Sequence, residues 1–152
     1  MKPTLRPAQS DDLPAIIALL ADDPLGATRE SAGDAVAPSY EEAFRAIDAD
    51  PNHQLLVADL EGEVVGVLQL SFLPHLTYEG GWRAQIEGVR IAAEHRSKGL
   101  GRVLVEGAIQ RGQERGCHLV QLTTDRRRPE ALRFYESLGF VASHEGMKLH
   151  LG

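Results

Sequence analysis

The stretch His95-Arg96-Ser97-Lys98-Gly99-Leu100-Gly101-Arg102-Val103-Leu104-Val105-Glu106-Gly107 sets two glycines one residue apart, between a basic segment and an apolar run with helical spacing. Glycine lets backbone approach a ligand closely, and a helix beginning here aims its unpaired first-turn N–H groups at whatever lies before it. Successive amides from Ser97 to Arg102 can face one concavity. The helix terminus adds partial positive charge there, and Arg96, Lys98 and Arg102 supply mobile countercharge. The natural occupant is an anion, with a pyrophosphate as the best fit.

Two familiar phosphate-binding patterns do not match. A P-loop needs Lys followed by Ser or Thr after its last glycine, and Arg102 and Val103 stand there. A dinucleotide fingerprint needs a third glycine where Leu104 sits. Asp125 lies where a ribose-binding acid would be, but residues 102–152 are too few for the rest of a Rossmann sheet.

The order Arg-x-x-Gly-x-Gly, Arg96 to Gly101, followed by Pro-Glu-Ala-Leu-Arg-Phe-Tyr-Glu-Ser-Leu-Gly-Phe at 129–140, resembles the GNAT superfamily of acetyl-CoA-dependent N-acetyltransferases. Either motif alone is weak, whereas both in this order and spacing are specific. The resemblance implies an α/β fold: a mixed, mostly antiparallel sheet with a central parallel strand pair and flanking helices, in one acetyltransferase-like domain over 1–152. It implies acetyl-CoA as co-substrate, held by Val89, Arg90 and Ile91 at a strand end, by Arg96, Ser97, Lys98, Gly99, Leu100, Gly101 and Arg102, and by Phe134 and Arg128 near the last helix. Arg128 stands where many relatives carry Asn, a departure from the pattern. Arg126 and Arg127 complete a basic run that reads first as a solvated loop, the alternative being that one of its side chains reaches a coenzyme phosphate.

Length and composition agree with one soluble domain. The chain has 152 residues, 43% hydrophobic and 25% charged, and its longest apolar runs fall short of a membrane span. The first residues show no apolar signal region, so a cytoplasmic location and no membrane partner are expected. Cys117 is the single cysteine, which excludes an internal disulfide and reads as a small buried filler rather than a nucleophile. Six histidines are scattered without helical pairing, so no metal site is expected. A net charge of −6 argues against nucleic acid as the partner. The charge is unevenly spread: residues 1–80 carry 4 basic and 14 acidic side chains, and residues 81–152 carry 12 and 8. The halves look built for ligands of opposite sign.

Periodicity gives the elements. An edge strand at Thr4–Ala8 precedes a helix capped by Ser10 or Asp11, with Leu13, Ile16, Ile17 and Leu20 on its core face. Residues 24–38 read as a long loop. A second helix follows, with a Ser39/Glu42 capping box and Tyr40, Phe44 and Ile47 buried. A hairpin turns at Glu61-Gly62, an irregular loop spans 73–82, and a strand runs to about Ile91. The helix after the glycines turns Leu100, Val103, Leu104 and Ala108 inward. A strand at 119–124, a helix from Pro129 to just before Gly139, and a closing hairpin over 140–151 complete the order.

Chemistry on a thioester requires a neutral amine, and an amine of pKa about 10.4 is free only about once in 10³ molecules at pH 7. Glu87 alternates with Val89 and Ile91 on a half-buried strand and so is expected to share their face. Acetyltransferases similar to this chain often use a glutamate there as general base, directly or through water, although an ion pair with Arg90 or Arg83 is the alternative. The resemblance places Tyr135 as the general acid that reprotonates the leaving thiolate, and a backbone N–H near Val89 at the oxyanion. The amine acceptor is expected among the loops around Asp23, Tyr78, Trp82 and His144. Asp22, Glu30, Asp34 and Glu79 add acidity that favours a small cationic amine. The reading admits a homodimer. Its alternatives are an acetyl-CoA-binding module without turnover and, further off, a dinucleotide-binding oxidoreductase.

Overall fold

The computed structural model describes residues 2–31, 33 and 35–152, so Asp34 lies outside the described residues. Two compact units divide the chain, Met1–Gln121 and Leu122–Gly152.

In the first unit, strand β1 (Thr4–Pro7) leads through a single 3-10 turn to helix α1 (Leu13–Ala21). The entry lies one or two residues beyond the expected cap. Asp12, not Ser10 or Asp11, closes the entry: its carboxylate accepts the Gln9 N–H at 2.7 Å, and Pro14 then sits in the first helical turn, where its missing N–H costs nothing. The long loop contains one helical turn that periodicity could not show, α2 (Gly26–Arg29). It exists because Gly26 can press against α1. A Cβ there would sit 1.9 Å from the Leu20 carbonyl oxygen, and the Gly26 N–H donates to the Asp23 carboxylate.

Helix α3 (Pro38–Ala49) starts one residue before the expected capping box, on Pro38, and has no side-chain cap. Pro38 pre-sets the first turn, so Ser39 is already inside the helix and its box with Glu42 does not form. Tyr40, Phe44 and Ile47 are half-buried rather than buried. Strands β2 (His53–Leu60) and β3 (Glu63–Pro74) form the expected hairpin, with Glu61 at φ 53° and Gly62 at φ 90° in the turn. After the four-residue turn α4 (Thr77–Gly80), strand β4 (Trp82–Ile91) pairs antiparallel with β3.

Helix α5 (Leu100–Glu114) crosses to β5 (Leu119–Leu122), which lies parallel to β4, and the sheet order is β1-β2-β3-β4-β5. The chain is therefore a mixed, mostly antiparallel α/β sheet with flanking helices. β3 lies mid-sheet and is buried along most of its length. Val65, Val67, Leu68, Leu70 and Phe72 are at most 1% exposed, as are Leu104 and Val105 of α5. Val105, not Val103, completes the inward face of α5 together with Leu100, Leu104, Ala108 and Gly112. Cys117 is half-buried, and desolvation pushes its thiol above its usual pKa, which suits packing rather than attack.

One ion cluster ties β1, the α1 entry and β2 together. Arg6 donates to Asp12 at 2.8 and 3.0 Å and to Asp59 at 3.0 Å. Hydrogen bonds from Arg6 hold both carboxyls below the usual aspartate range. Lowered folded-state pKa values contribute stability above about pH 4, and that stability is lost as pH falls through them. Arg6→Met is therefore expected to lower the melting temperature by about 2–4 °C at pH 7. In a thermal-melt series wild type and variant converge as pH falls through these lowered values and both carboxyls take up protons. A constant gap at every pH would show that Arg6 acts only through its aliphatic packing.

In the second unit, helix α6 (Pro129–Ser137) has Pro129 in its first turn and Gly139, at φ 98°, just beyond its end, as the sequence requires. The expected closing hairpin is not formed. Residues 140–152 carry no strand, and Val141, Met147, Leu149 and Leu151 are 80–95% exposed. Its alternating pattern is intact, but nothing within the unit covers the apolar side.

Candidate active site

The glycine loop forms the cradle its sequence suggests. A 3-10 turn over Ala93–His95 follows β4, and Ser97 at φ 65° and Gly99 at φ 81° then reverse the chain so that α5 starts at Leu100. Leu100 is buried and anchors the turn, whereas Arg96, Ser97, Lys98 and Gly99 are exposed. No heavy atom lies within 4 Å of the position a Gly99 Cβ would take. The first α-helical bond of α5 runs from the Val103 N–H to the Gly99 carbonyl at 3.2 Å. The amides of Leu100, Gly101 and Arg102 precede it, as in any helix whose first turn can receive an anion. Arg96 donates to the Ile91 carbonyl at 3.2 Å and to the Asp22 carbonyl at 3.3 Å, and its guanidinium lies 3.8 Å from the Asp22 carboxylate. Arg102 pairs with Glu106 one turn on, at 2.8 Å. These residues fit a diphosphate: the backbone offers donors and the flanking cations are half-exposed or exposed.

β4 carries a bulge that periodicity alone cannot place. Glu87 faces Gln69 and Arg90 faces Val67, so Gly88 and Val89 together oppose Leu68. Gly88 takes φ 64°, a conformation that costs glycine little. The extra residue reverses the alternation. Glu87 shares its face with Arg90, not with Ile91, and the expected common face of Glu87, Val89 and Ile91 does not exist. Glu87 is exposed rather than half-buried, and the Gln85 amide donates to its carboxylate. Gln121 in turn donates to Gln85 at 3.0 Å, linking β5 to this pair. Neither Arg90 nor Arg83 takes Glu87 as its partner. Arg90 lies 3.6 Å from the Asp23 carboxylate and donates to the Val89 carbonyl at 2.9 Å, and Arg83 donates to Thr77 at 3.1 Å. An isolated glycine inside a strand pattern, Glu87-Gly88-Val89, was the signal for the bulge.

The acidic residues of the first loop are largely engaged. Asp22 pairs with Arg96, Asp23 with Arg90 and the Gly26 amide, and Glu30 accepts the Tyr40 hydroxyl at 2.8 Å. These contacts fasten the α1–α2 corner to the end of β4 and to the glycine loop. At the hairpin tip, Tyr78 (φ 53°) and Glu79 (φ 58°) adopt left-handed backbone, a costly conformation that tends to persist where the surroundings fix it. The Tyr78 ring lies 4.8 Å from His118, and the Arg83 guanidinium sits 5.7 Å from its centroid. Trp82, 37% exposed, opens β4 beside it, and its carbonyl accepts the His118 N–H at 2.9 Å.

In the second unit, Tyr135 is half-buried, with ring centroids 5.1 Å from Phe134 and 5.8 Å from Phe140. The basic run has internal partners. Arg126 pairs with Glu145, and Arg127 binds Asp125 through its side chain at 2.8 and 3.0 Å and through its backbone at 2.9 Å. Asp125 is thus a partner of Arg127, and Arg126 and Arg127 are both paired within the unit. Arg128 caps α6 with its backbone, its carbonyl accepting the Ala131 N–H at 3.1 Å. His144 is exposed and meets the Ser143 hydroxyl at 2.7 Å.

Elsewhere, Glu63, Glu94 and His95 bring ligand atoms within 4.8 Å of one another at the surface, with Glu63 and Glu94 exposed and nothing further pointing to a cation. Among the described residues no helix is long and apolar enough to cross a membrane.

The acetyltransferase (GNAT) family matches over residues 14–140. An aminoalkylphosphonate N-acetyltransferase of Salmonella typhimurium is 30% identical over 106 residues, 70% of this chain and 68% of that protein. A glucosamine 6-phosphate N-acetyltransferase of Trypanosoma brucei brucei is 33% identical over 90 residues, 59% of each. The crystal structure of a transcriptional regulator from Bacillus halodurans superposes with a TM-score of 0.96 at 53% identity, over 98% of this chain and 99% of that one.

Proposed function

Because the chain belongs to the acetyltransferase (GNAT) family, we propose that it moves the acetyl group of acetyl-CoA to a primary amine of a small metabolite. The whole of residues 1–152 would act as one acetyltransferase domain, a reading supported by a family match that runs through both units. The observation that carries it is the glycine turn at the start of α5, reached from a bulged β4 through a 3-10 turn.

Acetyl-CoA supplies the acetyl group as an activated thioester. The Leu100–Arg102 amides bind its diphosphate, with Arg96, Lys98 and Arg102 as countercharge and Ser97 and Gly99 shaping the turn. Val89, Arg90 and Ile91 line the strand end that receives the pantetheine arm, and Phe134 and Arg128 are the coenzyme-binding residues of the second unit. Glu87 takes the amine proton, directly or through water, as the new N–C bond forms. A backbone donor at the Gly88–Val89 bulge, released from the ladder, meets the developing negative oxygen. Tyr135 gives its hydroxyl proton to the departing sulfur as the C–S bond breaks.

The acceptors named for the two curated relatives are amines that also bear a phosphonate or phosphate. Here Asp22, Asp23 and Glu30 are engaged, so attraction for a cationic amine rests on Glu79 and Glu87, with Tyr78 and Trp82 as a π-rich wall. His144 is the substrate-binding residue of the second unit. The Bacillus halodurans relative is called a transcriptional regulator. A net charge of −6 supports a small-molecule acceptor over nucleic acid for this chain.

The binding step is tested at Gly101. A branched side chain in the first turn of α5 blocks close approach of an anion to the amides, so Gly101→Val is expected to abolish the thermal shift produced by acetyl-CoA. The melt itself should remain cooperative. Undiminished stabilisation of a folded Gly101→Val protein would remove the cradle from the proposal.

A further inference from the structure

Helix α1 ends over the bulge of β4. It packs on β3 and β4, and a Cβ on Gly88 would lie 3.9 Å from the Leu20 side chain. Asp23 follows three residues after Leu20, just past the helix end, and its carboxylate faces two ways. One oxygen, Oδ1, accepts the Gly26 N–H and so fixes the start of α2. The other, Oδ2, lies 3.6 Å from Nε of Arg90. The Asp23 and Arg90 side chains are 20% and 13% exposed, so solvent screens this pair far less than an ion pair in open water.

Arg90 is the first residue after the bulge, and its guanidinium makes a second contact. Nη1 donates to the Val89 carbonyl at 2.9 Å. A guanidinium is a rigid planar fork, so the group that Asp23 holds in place holds that carbonyl in turn. Val89 and Gly88 share Leu68 as their one opposite residue, and a bulge of this kind lacks the full ladder that would otherwise set its peptides. Because a trans peptide is planar, fixing the Val89 carbonyl also fixes the Arg90 N–H on the opposite edge and limits rotation of the bulge beside it. The corner that carries Asp23 is itself firmly placed. Arg96 donates to the Asp22 carbonyl at 3.3 Å, a cation seated on the C-terminus of α1, and Gly26 lies too close to the Leu20 carbonyl for any Cβ.

We infer that Asp23 is a positioning residue for acetyl transfer: through Arg90 it sets the orientation of the bulge whose backbone donor meets the developing negative oxygen. The inference rests on the reading of function given above, and it gives Asp23 a role other than holding the amine. Donors already aimed when charge develops act without reorganising, so a bulge released by Arg90 loses rate rather than binding.

Asp23→Asn tests this, because the amide oxygen can still accept the Gly26 N–H while the charge that holds Arg90 is gone. kcat for thiol release is expected to fall about tenfold, less than the roughly 10²-fold or more caused by removing a whole donor. KM for acetyl-CoA and for the amine should each stay within about threefold. In labelled protein the Val89 carbonyl carbon resonance should move upfield as its hydrogen-bond donor departs. Arg90→Lys keeps a cation opposite Asp23 but cannot hold carboxylate and carbonyl together as a planar fork does. It should show the same loss of kcat and the same shift, and it decides the matter if Asp23→Asn does not fold. Wild-type kcat in the folded variants overturns the inference, as does an unmoved Val89 resonance. A raised amine KM at unchanged kcat would make Asp23 an acceptor contact and overturn it too. If wild type itself releases no thiol with any amine, the functional reading fails by itself; the Val89 resonance then decides the bridge from Asp23 to the bulge, which stands if the signal moves in Asp23→Asn and falls if it does not.

Discussion

Tyr135→Phe is expected to lower the turnover rate by about 10²-fold or more while leaving acetyl-CoA affinity nearly unchanged. The substitution removes one hydroxyl and keeps the ring, so the edge-on contacts with Phe134 at 5.1 Å and Phe140 at 5.8 Å survive and α6 stays packed. A coenzyme thiolate, with a pKa near the roughly 8.5 of free cysteine, leaves more readily when a phenol protonates it in the same step. The loss should therefore appear in kcat with KM for acetyl-CoA little changed. Steady-state thiol release at saturating amine reads both. Equal kcat in the two proteins would reduce Tyr135 to a core ring of the second unit.

Glu87→Gln should cost about 10²-fold at pH 7 and recover as pH rises, because the variant must wait for an amine that is already neutral. Wild type should climb along an acidic limb that the variant lacks, since that limb reports the carboxylate or the water it activates. The exposed position of Glu87 makes the experiment clean. No core contact is lost, and Gln keeps the shape next to Gln85. Parallel pH profiles separated by a small constant factor would remove Glu87 from the chemistry. Attention would then move to His144 or to a water held by backbone.

The cradle was legible in the sequence because its physics is local: two glycines, a basic flank and a helical period lie within one short stretch. The same holds for the Glu61-Gly62 turn and for Pro129 and Gly139 around α6, where backbone preference acts within a few residues. What stayed hidden depends on residues distant in sequence. The Gly88–Val89 bulge is defined by the register against β3, and that one inserted residue moved Glu87 off the face of Ile91. Pairing of Asp22 with Arg96 and of Asp23 with Arg90 joins segments far apart along the chain, so carboxylates that composition counted as free acidity are already engaged. The capping box at Ser39 lost to Pro38, whose fixed φ starts the helix earlier. The closing hairpin was read from a true alternation, but alternation alone does not fix where a strand finds its partner.

Catalysis by this chain, rather than binding alone, is tested most directly by release of free coenzyme A thiol when the protein meets acetyl-CoA and a panel of small primary amines, including aminoalkylphosphonates and amino sugar phosphates. An amine-dependent burst of thiol with at least one panel member, matched mole for mole by acetylated amine and absent from Tyr135→Phe on the same timescale, is the predicted result. Stabilisation by acetyl-CoA without thiol release from any amine would contradict it and leave a binding module in place of an enzyme.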